Sequence, residues 1–210
     1  TLDRSSAASD VYKRQVFHSI ETIILTGTKW VLDLPFGIAG LLIGFFQQII
    51  VVTGVHHIFN FMEIQLLEEF KYNEFNPIIS AAMTAQGAAT VAVGLKTRQK
   101  KLKALALPSA FSAFLGITEP AIFGVNLRYF KPFVCGLIGG AAGGFLASLL
   151  HLKASGMAIT VLPGMLLFIE DIGQLPLYIL VLAVSFAVGF VLTWFFGYSD
   201  KMAEEIREAK

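Results

Sequence analysis

Four stretches of about twenty mostly apolar residues constrain the fold of this 210-residue chain more than any other feature. They are residues 36–55, 77–95, 132–152 and 174–197. A helix of roughly 20 apolar residues crosses a hydrocarbon core about 30 Å thick. Because the bilayer core holds no water to bond free backbone groups, apolar segments of this length are expected to cross it as helices. The pattern predicts an all-α polytopic membrane protein.

The composition supports the same class. Apolar residues make up 55% of the chain and charged residues 15%, whereas soluble proteins average about 25% charged residues. The net charge of +1 gives no reason to expect a nucleic-acid partner. The single cysteine, Cys135, cannot form a disulfide or a thiolate metal cluster within the chain. We therefore expect neither a metal nor a cofactor.

Two further apolar segments, 104–127 and 156–172, are interrupted near their middle. The interruptions are Pro108, Gly116 and Pro120 in the first segment, and Pro163 and Gly164 in the second. Irregular backbone at membrane depth is tolerated only where protein buries it or where it lines a watery cavity. We expect one or two re-entrant hairpins here, for about five to six membrane segments in all. The sequence leaves open the side from which 104–127 enters.

The polar segments indicate orientation and domain limits. The loop KTRQKKLK, residues 96–103, holds five basic residues between two apolar segments and is expected on the cytoplasmic side. Residues 200–210 are expected to form a cytoplasmic tail. Residues 1–15 are polar without a helical stripe, and we interpret them as a disordered or non-native leader. Residues 16–35 carry more charge and form either an interfacial helix or the end of a truncated span.

Glycines recur at four-residue spacing in GLIGGAAGG, residues 136–144. Small residues at this interval let helix backbones approach closely in lipid. A phosphate-binding glycine loop would need a preceding strand and nearby polar groups, and neither is visible. The pattern predicts tight helix packing.

A first polar cluster, VVTGVHHIFN, follows an apolar segment at residues 51–60. An ionisable residue inside a membrane segment is a functional-site hypothesis, because burying it without a partner is expensive. His56 and His57 point about 100° apart on a helix, so at most one faces a given cavity. Either one of them serves a binding site, or the pair bonds a neighbouring helix.

A second polar cluster surrounds Glu119, which precedes Pro120 in the interrupted segment 104–127. A broken element frees backbone groups to meet a polar substrate, and a carboxylate accepts two hydroxyl groups at once, which suits a sugar. Asn126 and Lys131 follow near the same membrane boundary. The alternative is a structural salt bridge between Glu119 and Arg128.

The amino-acid sequences of these segments resemble those of a known family. TGVHHIFN, AQGAATVAVGLKT and KALALPSAFSAFLGITEPAIFGVNLRYFKPF are similar to the membrane (EIIC) domain of bacterial sugar phosphotransferase-system permeases. Within that glucose superfamily the sucrose branch is most similar, and the β-glucoside and trehalose branches come next. The likeness covers about 16–199 and implies a partial EIIC transport domain.

The resemblance implies a function and its partners. It implies a homodimeric, multi-pass protein of the bacterial inner membrane that binds a sugar and moves it through the lipid bilayer. The sugar is then phosphorylated by a phosphocysteine on an EIIB domain, which works with an EIIA phosphocarrier. This chain would be the membrane part of a protein-phosphohistidine–sugar phosphotransferase and hold no catalytic residue itself.

The resemblance also implies the sugar-binding residues. The glutamate of the GITEP motif, Glu119, binds sugar hydroxyls from a re-entrant hairpin, with Thr118 and Asn126 assigned to the same site. A histidine of the TGVHH motif, His56 or His57, supports it.

Two rival interpretations are a proton-coupled transporter or channel with a His/Glu relay, and a membrane sensor or scaffold without transport.

Overall fold

The computed structural model describes residues 26, 30, 34, 37–54 and 57–200. The chain divides into two units, Thr1–Leu34 and Pro35–Lys210, and the architecture below is that of the second unit. The predicted leader, most of the segment 16–35 and the tail after residue 200 lie outside the described residues.

The described residues are mostly helical and form no strand, apart from an isolated bridge between Asn73 and Ala154. The α-helices are α1 Ile38–Val52, α2 His57–Phe70, α3 Phe75–Lys96, α4 Lys100–Phe114, α5 Glu119–Ala121, α6 Leu127–Tyr129, α7 Lys131–Leu149, α8 Val161–Gly164 and α9 Gln174–Leu192. A π-helical turn, Ile122–Asn126, joins α5 to α6, and another, Thr193–Gly197, extends α9. A 3₁₀ turn, Met165–Phe168, follows α8. The predicted all-α membrane class is confirmed.

Within the described part of the chain, three helices are long and apolar enough to cross a membrane: Phe75–Lys96, Lys131–Leu149 and Gln174–Gly197. They confirm three of the four predicted spans. The fourth prediction, 36–55, was too long, because α1 has only 15 residues. Gly37 and Gly54, with φ of 74° and 79°, flank α1 in the left-handed region, where a helix does not continue.

The predicted glycine packing joins α7 to α1. A Cβ built on Gly44 would lie 2.3 Å from the Gly140 carbonyl oxygen, and one built on Gly144 would lie 2.2 Å from the Gly40 carbonyl oxygen. Such distances leave no room for a side chain, so the two helices touch backbone to backbone. Close approach of this kind is what small residues at four-residue spacing permit.

The central helix of the described bundle is α3, which contacts α1, α4, α7 and α9. Its many alanines, among them Ala81, Ala85, Ala88 and Ala92, are fully buried. Because alanine is short, these positions let the neighbouring helices pack close to α3. The buried helix thus forms a scaffold against which the two interrupted segments are placed.

The first interrupted segment forms a hairpin, residues 100–129, that returns to the end of the bundle where it starts. Along α4 the chain runs antiparallel to α3: a Cβ on Gly94 would meet Ala106 and Leu107, and one on Gly87 would meet Phe114. The chain then comes back, and the Tyr129 ring lies 5.2 Å from that of Tyr198, which follows the last spanning helix. The prediction of a re-entrant element is confirmed.

Two details of this first hairpin differ from the sequence-based expectation. Pro108 stands inside α4 without ending it. A proline removes one backbone bond, but the packing of α4 against α3 is enough to keep the helix continuous, and the break falls at residues 115–118 instead. The basic segment 96–103 is mostly helical, because α3 ends at Lys96 and α4 begins at Lys100.

The second interrupted segment, residues 150–173, forms a hairpin at the opposite end of α3. The Lys153 amide donates to Gln174 Oε1 at 2.7 Å, so the segment starts beside the point where it finishes. Asn73, just before α3, exchanges two backbone hydrogen bonds of 2.9 Å with Ala154. The two hairpins therefore enter the bundle from opposite ends. The first hairpin enters from the end that carries the basic segment 96–103.

Candidate functional site

A polar cavity lies where the tips of the two hairpins meet. Its volume is about 150 Å³. The walls come from α1, α2, α3 and both tips: Gln47, Val51, Phe59, Asn60, Glu63, Ile79, Met83, Gly116, Thr118, Glu119, Ala158 and Thr160. Five separate elements thus converge on one small volume.

The two tips touch through Gly116 and Thr160. A Cβ on Gly116 would come within 2.8 Å of the Thr160 Oγ1, and the φ of Gly116 is 95°. Both the space and the backbone conformation therefore require glycine at this position. The contact limits how closely the two tips can approach each other.

Two of the predicted site residues, Thr118 and Glu119, lie side by side in the cavity wall. Thr118 is buried, and Glu119 is exposed at the start of α5. Glu119 forms no ion pair with the residues that the structure describes. Arg128, the alternative salt-bridge partner, packs instead over the Tyr129 ring at 5.9 Å. The Glu119 carboxyl group is thus available to a ligand.

The structure does not bring Asn126 to the cavity. Asn126 is fully buried and donates to the Gln86 backbone oxygen at 3.0 Å and to Gln86 Oε1 at 2.8 Å. Its own oxygen accepts from Thr90 Oγ1 at 3.0 Å. These bonds attach the returning half of the first hairpin to α3. A direct role of Asn126 in ligand binding stays a prediction.

The predicted histidines are only partly within the described structure. His57 is the first residue of α2, and its side chain and the whole of His56 lie outside the described residues. Their assignment to the site stays a prediction. The same helix α2 contributes Phe59, Asn60 and Glu63 to the cavity wall.

Glu63 is a cavity residue that the sequence reasoning missed. Its side chain is only 2% exposed. Its Oε1 accepts from the Asn73 amide at 2.9 Å and from the Asn76 amide at 3.0 Å, and its Oε2 accepts from the Ala158 backbone N–H at 3.3 Å. We call Glu63, Asn73 and Asn76 the Glu63 cluster.

Burial and hydrogen bonding act in opposite directions on Glu63, whose helix is not one of the three spanning helices. Removal from water raises the pKa of the Glu63 carboxyl above its ordinary value. The hydrogen bonds from Asn73, Asn76 and Ala158 lower that pKa, and the burial effect is the larger. The cluster therefore retains a proton to higher pH than an exposed glutamate does.

Gln47 is the second missed residue of the wall. It is 3% exposed, and its buried Oε1 accepts no hydrogen bond from the described residues. The neighbouring Gln48 is not part of the cavity wall, and its buried amide also forms no hydrogen bond with the described residues. An unpaired buried amide is therefore not in itself a sign of a ligand site. Gln47 adds polar surface to the cavity without identifying a ligand by itself.

The chemistry of the wall favours a neutral, hydroxyl-rich ligand. The Glu119 carboxyl group, two amides and two hydroxyls line the cavity together with the Phe59 ring, while the Glu63 carboxyl group is occupied by its own hydrogen bonds. Carboxylates and amides bond hydroxyl groups, and an aromatic ring offers an apolar face. The described lining includes no lysine or arginine, so it does not favour an anion. Among the described residues there is also no group of three potential metal-binding side chains of the His, Cys, Asp or Glu type.

Fold and cavity together define a class: an all-α membrane protein with a polar binding cavity between two opposed re-entrant hairpins. Residues 13–140 match the family model described as phosphotransferase system, EIIC. The chain belongs to this EIIC family. The resemblance seen in the sequence is thereby confirmed.

Curated relatives share this family. The sucrose-specific EIIBC component of Salmonella typhimurium is 45% identical over 163 residues, which cover 77% of this chain and 35% of the relative. The sucrose-specific EIIBC component of Bacillus subtilis (strain 168) is 47% identical over 142 residues, or 68% of this chain and 30% of the relative. The trehalose-specific EIIBC component of Escherichia coli (strain K12) is 33% identical over 161 residues, or 77% and 33%.

This chain therefore spans about a third of the length of these curated relatives. No solved structure matches it significantly.

Proposed function

We propose that this chain forms the sugar-binding part of a phosphoenolpyruvate-dependent permease for sucrose. The observation that carries the proposal is the position of Glu119. Its carboxyl group lies in the wall of a polar cavity at a hairpin tip, and no described residue pairs with it. The similarity to sucrose-specific relatives at 45–47% identity supports sucrose as the sugar.

The cavity performs the binding step of the mechanism. Glu119 accepts hydrogen bonds from sugar hydroxyls, with the Thr118 hydroxyl beside it, and a histidine of the TGVHH motif, His56 or His57, completes the set. Phosphoryl transfer needs the accepting hydroxyl to be aligned with the donor. The membrane chain supplies that alignment, and a phosphocysteine on an EIIB domain, itself loaded by EIIA, supplies the phosphoryl group.

The placement of the hairpins supports a membrane orientation. The first hairpin starts at the basic end of the bundle, where Arg98, Lys100 and Lys101 lie. Basic loops favour the cytoplasmic side, so we place the first hairpin there and the second on the outer side. The protein would be a multi-pass homodimer in the bacterial inner membrane.

The test uses Glu119→Gln in the permease that contains this chain. The change keeps the shape of the side chain but removes its charge, so radiolabelled sucrose should bind at least about tenfold more weakly, since hydrogen bonds to charged groups contribute about 1.5–3 kcal/mol. Glu170→Gln, an exposed position in the second hairpin away from the cavity, is the matched control. Sucrose binding unchanged by Glu119→Gln would remove Glu119 from the site.

Energy coupling separates this proposal from its rivals. Uptake of sucrose should require phosphoenolpyruvate and should deliver sucrose phosphate. Uptake that follows the proton gradient and delivers free sugar would indicate the His/Glu relay instead. Membranes that hold the permease and bind no sucrose would indicate a sensor or scaffold.

A further inference from the structure

The tip of the second hairpin, residues 156–161, has a backbone that its residues do not favour. Ala158 and Val161 have φ of 63° and 56°. A branched side chain such as valine is a genuine outlier in this left-handed region. Such residues cost about 1–3 kcal/mol each and persist only where surrounding contacts hold them. The contacts around the tip therefore decide whether it keeps its place in the cavity wall.

One side of the tip is attached to the spanning helices. The Val161 N–H donates to Ser80 Oγ of α3 at 3.2 Å. The Val161 carbonyl accepts from the Tyr178 hydroxyl of α9 at 2.9 Å. Ser80 and Tyr178 are both fully buried, so this side of the tip is fixed to the rigid part of the bundle.

The other side of the tip is attached to the Glu63 cluster. Ala158 donates its N–H to Glu63 Oε2 at 3.3 Å. The Asn73 and Asn76 amides, which both donate to Glu63 Oε1, also donate to the carbonyl oxygens of Gly156 and Ile159, each at 3.2 Å. Glu63 thus orients two amides as well as bonding the tip itself. Three backbone groups of the tip depend on this one carboxyl group.

We propose that Glu63 is a positioning residue of the sugar site: it holds the second hairpin tip in place, so that Thr160 stays against Gly116 and across the cavity from Glu119. Its three hydrogen bonds and its 2% exposure leave little surface for a ligand, which is why we assign it to the tip and not to the sugar. The effect on sugar rests on the proposed function, whereas the seating of the tip does not.

The test measures the tip directly, without sugar. Thr160→Cys places a thiol at the half-buried end of the tip, in a Cys135→Ser background that removes the natural cysteine. Glu63→Gln keeps one acceptor oxygen but presents an N–H₂ group in place of the other, so one of its three hydrogen bonds is lost. We expect a water-soluble thiol reagent to label Cys at position 160 roughly tenfold faster, as befits the loss of one buried hydrogen bond.

The control is Glu69→Gln, which removes the same charge from an exposed position of the same helix. It should leave the labelling rate unchanged. Equal labelling rates with Glu63 and with Gln at that position would overturn the proposal. So would a loss of sucrose affinity in Glu63→Gln without faster labelling, because that result would make Glu63 a direct sugar ligand.

A second variant keeps the proposal testable if Glu63→Gln does not fold. Asn76→Ala removes an amide that joins Glu63 to Ile159 but leaves the carboxyl group in place. It should also accelerate labelling, and an unchanged rate would contradict the proposal. Sucrose added to the Thr160→Cys protein with Glu63 intact should slow labelling if the cavity binds sugar. Faster labelling in the variants with no effect of sucrose would support the role of Glu63 and contradict the proposed function.

Discussion

Gly116 and Thr160 touch at the tips of two hairpins that enter the bundle from opposite ends. A Cβ at residue 116 would lie 2.8 Å from the Thr160 Oγ1. The spanning helix α7 lies between the two residues in sequence, yet they close one cavity together. Substitutions at this contact should therefore alter binding before they alter the rest of the fold.

Gly116→Ala should weaken sucrose binding by about tenfold or more. The added methyl group pushes Thr160 away, and the φ of 95° strains any residue other than glycine at a cost of about 1–3 kcal/mol. Equilibrium binding of radiolabelled sucrose measures the loss. Gly124→Ala is the control in the same hairpin, because its Cβ would meet only Leu105 at 3.7 Å. Equal effects of the two changes would contradict the tip contact.

Gly44→Ala should destabilise the bundle without acting on a cavity residue. Its Cβ would lie 2.3 Å from the Gly140 carbonyl oxygen, so α1 and α7 must separate. Overpacking of this kind costs roughly 1–3 kcal/mol. Thermal unfolding in detergent should show a lower midpoint than for the parent protein, while Gly124→Ala should stay close to the parent. A midpoint unchanged by Gly44→Ala would mean that the helices are further apart than described.

Asn126→Ala should lower stability more than Glu119→Gln does. It leaves the buried Gln86 Oε1 without its donor, and an unsatisfied buried group costs about 1–3 kcal/mol, whereas the Thr90 hydroxyl keeps its bond to the Gln86 backbone oxygen. Glu119 is exposed and has no described ion pair, so its substitution should affect sucrose binding and leave the unfolding midpoint nearly unchanged. If Asn126→Ala reduces sucrose binding without any change in the midpoint, Asn126 contacts the sugar, as the sequence suggested.

The raised pKa of Glu63 predicts a pH dependence of stability. The pKa of this carboxyl group has its ordinary value of 4.5 in the unfolded chain and is higher in the folded chain, so the folded chain binds the proton more tightly. The contribution of Glu63 to the free energy of unfolding is therefore fully present below pH 4.5 and is lost as the pH rises through the raised pKa. The parent protein should lose stability relative to Glu63→Gln over this range.

Unfolding midpoints of the two proteins, measured from about pH 4 to pH 8, check this prediction. Comparison with Glu63→Gln cancels the titration of all other groups. The unfolding midpoint of the exposed Glu69→Gln variant should change with pH in the same way as that of the parent protein. A difference between parent and Glu63→Gln that grows in the parent's favour as the pH rises would show that the hydrogen bonds, and not burial, dominate the pKa of Glu63.

The sequence predicted the parts of the fold that depend on local pattern. Long apolar runs predicted the spanning helices. The spacing of the glycines in α7 predicted that α7 packs closely against another helix, which is α1. Proline and glycine residues indicated the break after α4. The free-energy cost of a carboxylate in an apolar segment indicated that Glu119 lies in a cavity wall. Each of these signals is contained within about 25 consecutive residues.

The missed features depend on contacts between distant residues. Glu63 occurs in MEIQLLEEF beside Glu68 and Glu69, and nothing local distinguishes it from them. Its partners are 10, 13 and 95 residues away. The direction of the first hairpin likewise depends on the contact between Tyr129 and Tyr198. A count of apolar segments cannot reveal either, because both arise only when the helices are packed.

The glycine contact between α1 and α7 has a mechanical consequence. Where two backbones touch, there are no side-chain rotamers whose rearrangement would let one helix slide or rotate past the other. The two helices must therefore behave as one stiff body. The tip of the second hairpin, by contrast, is held by single hydrogen bonds that its backbone donates to side chains such as Glu63 and Ser80, and these bonds can break one at a time. The flexibility of the cavity wall is thus concentrated at this tip.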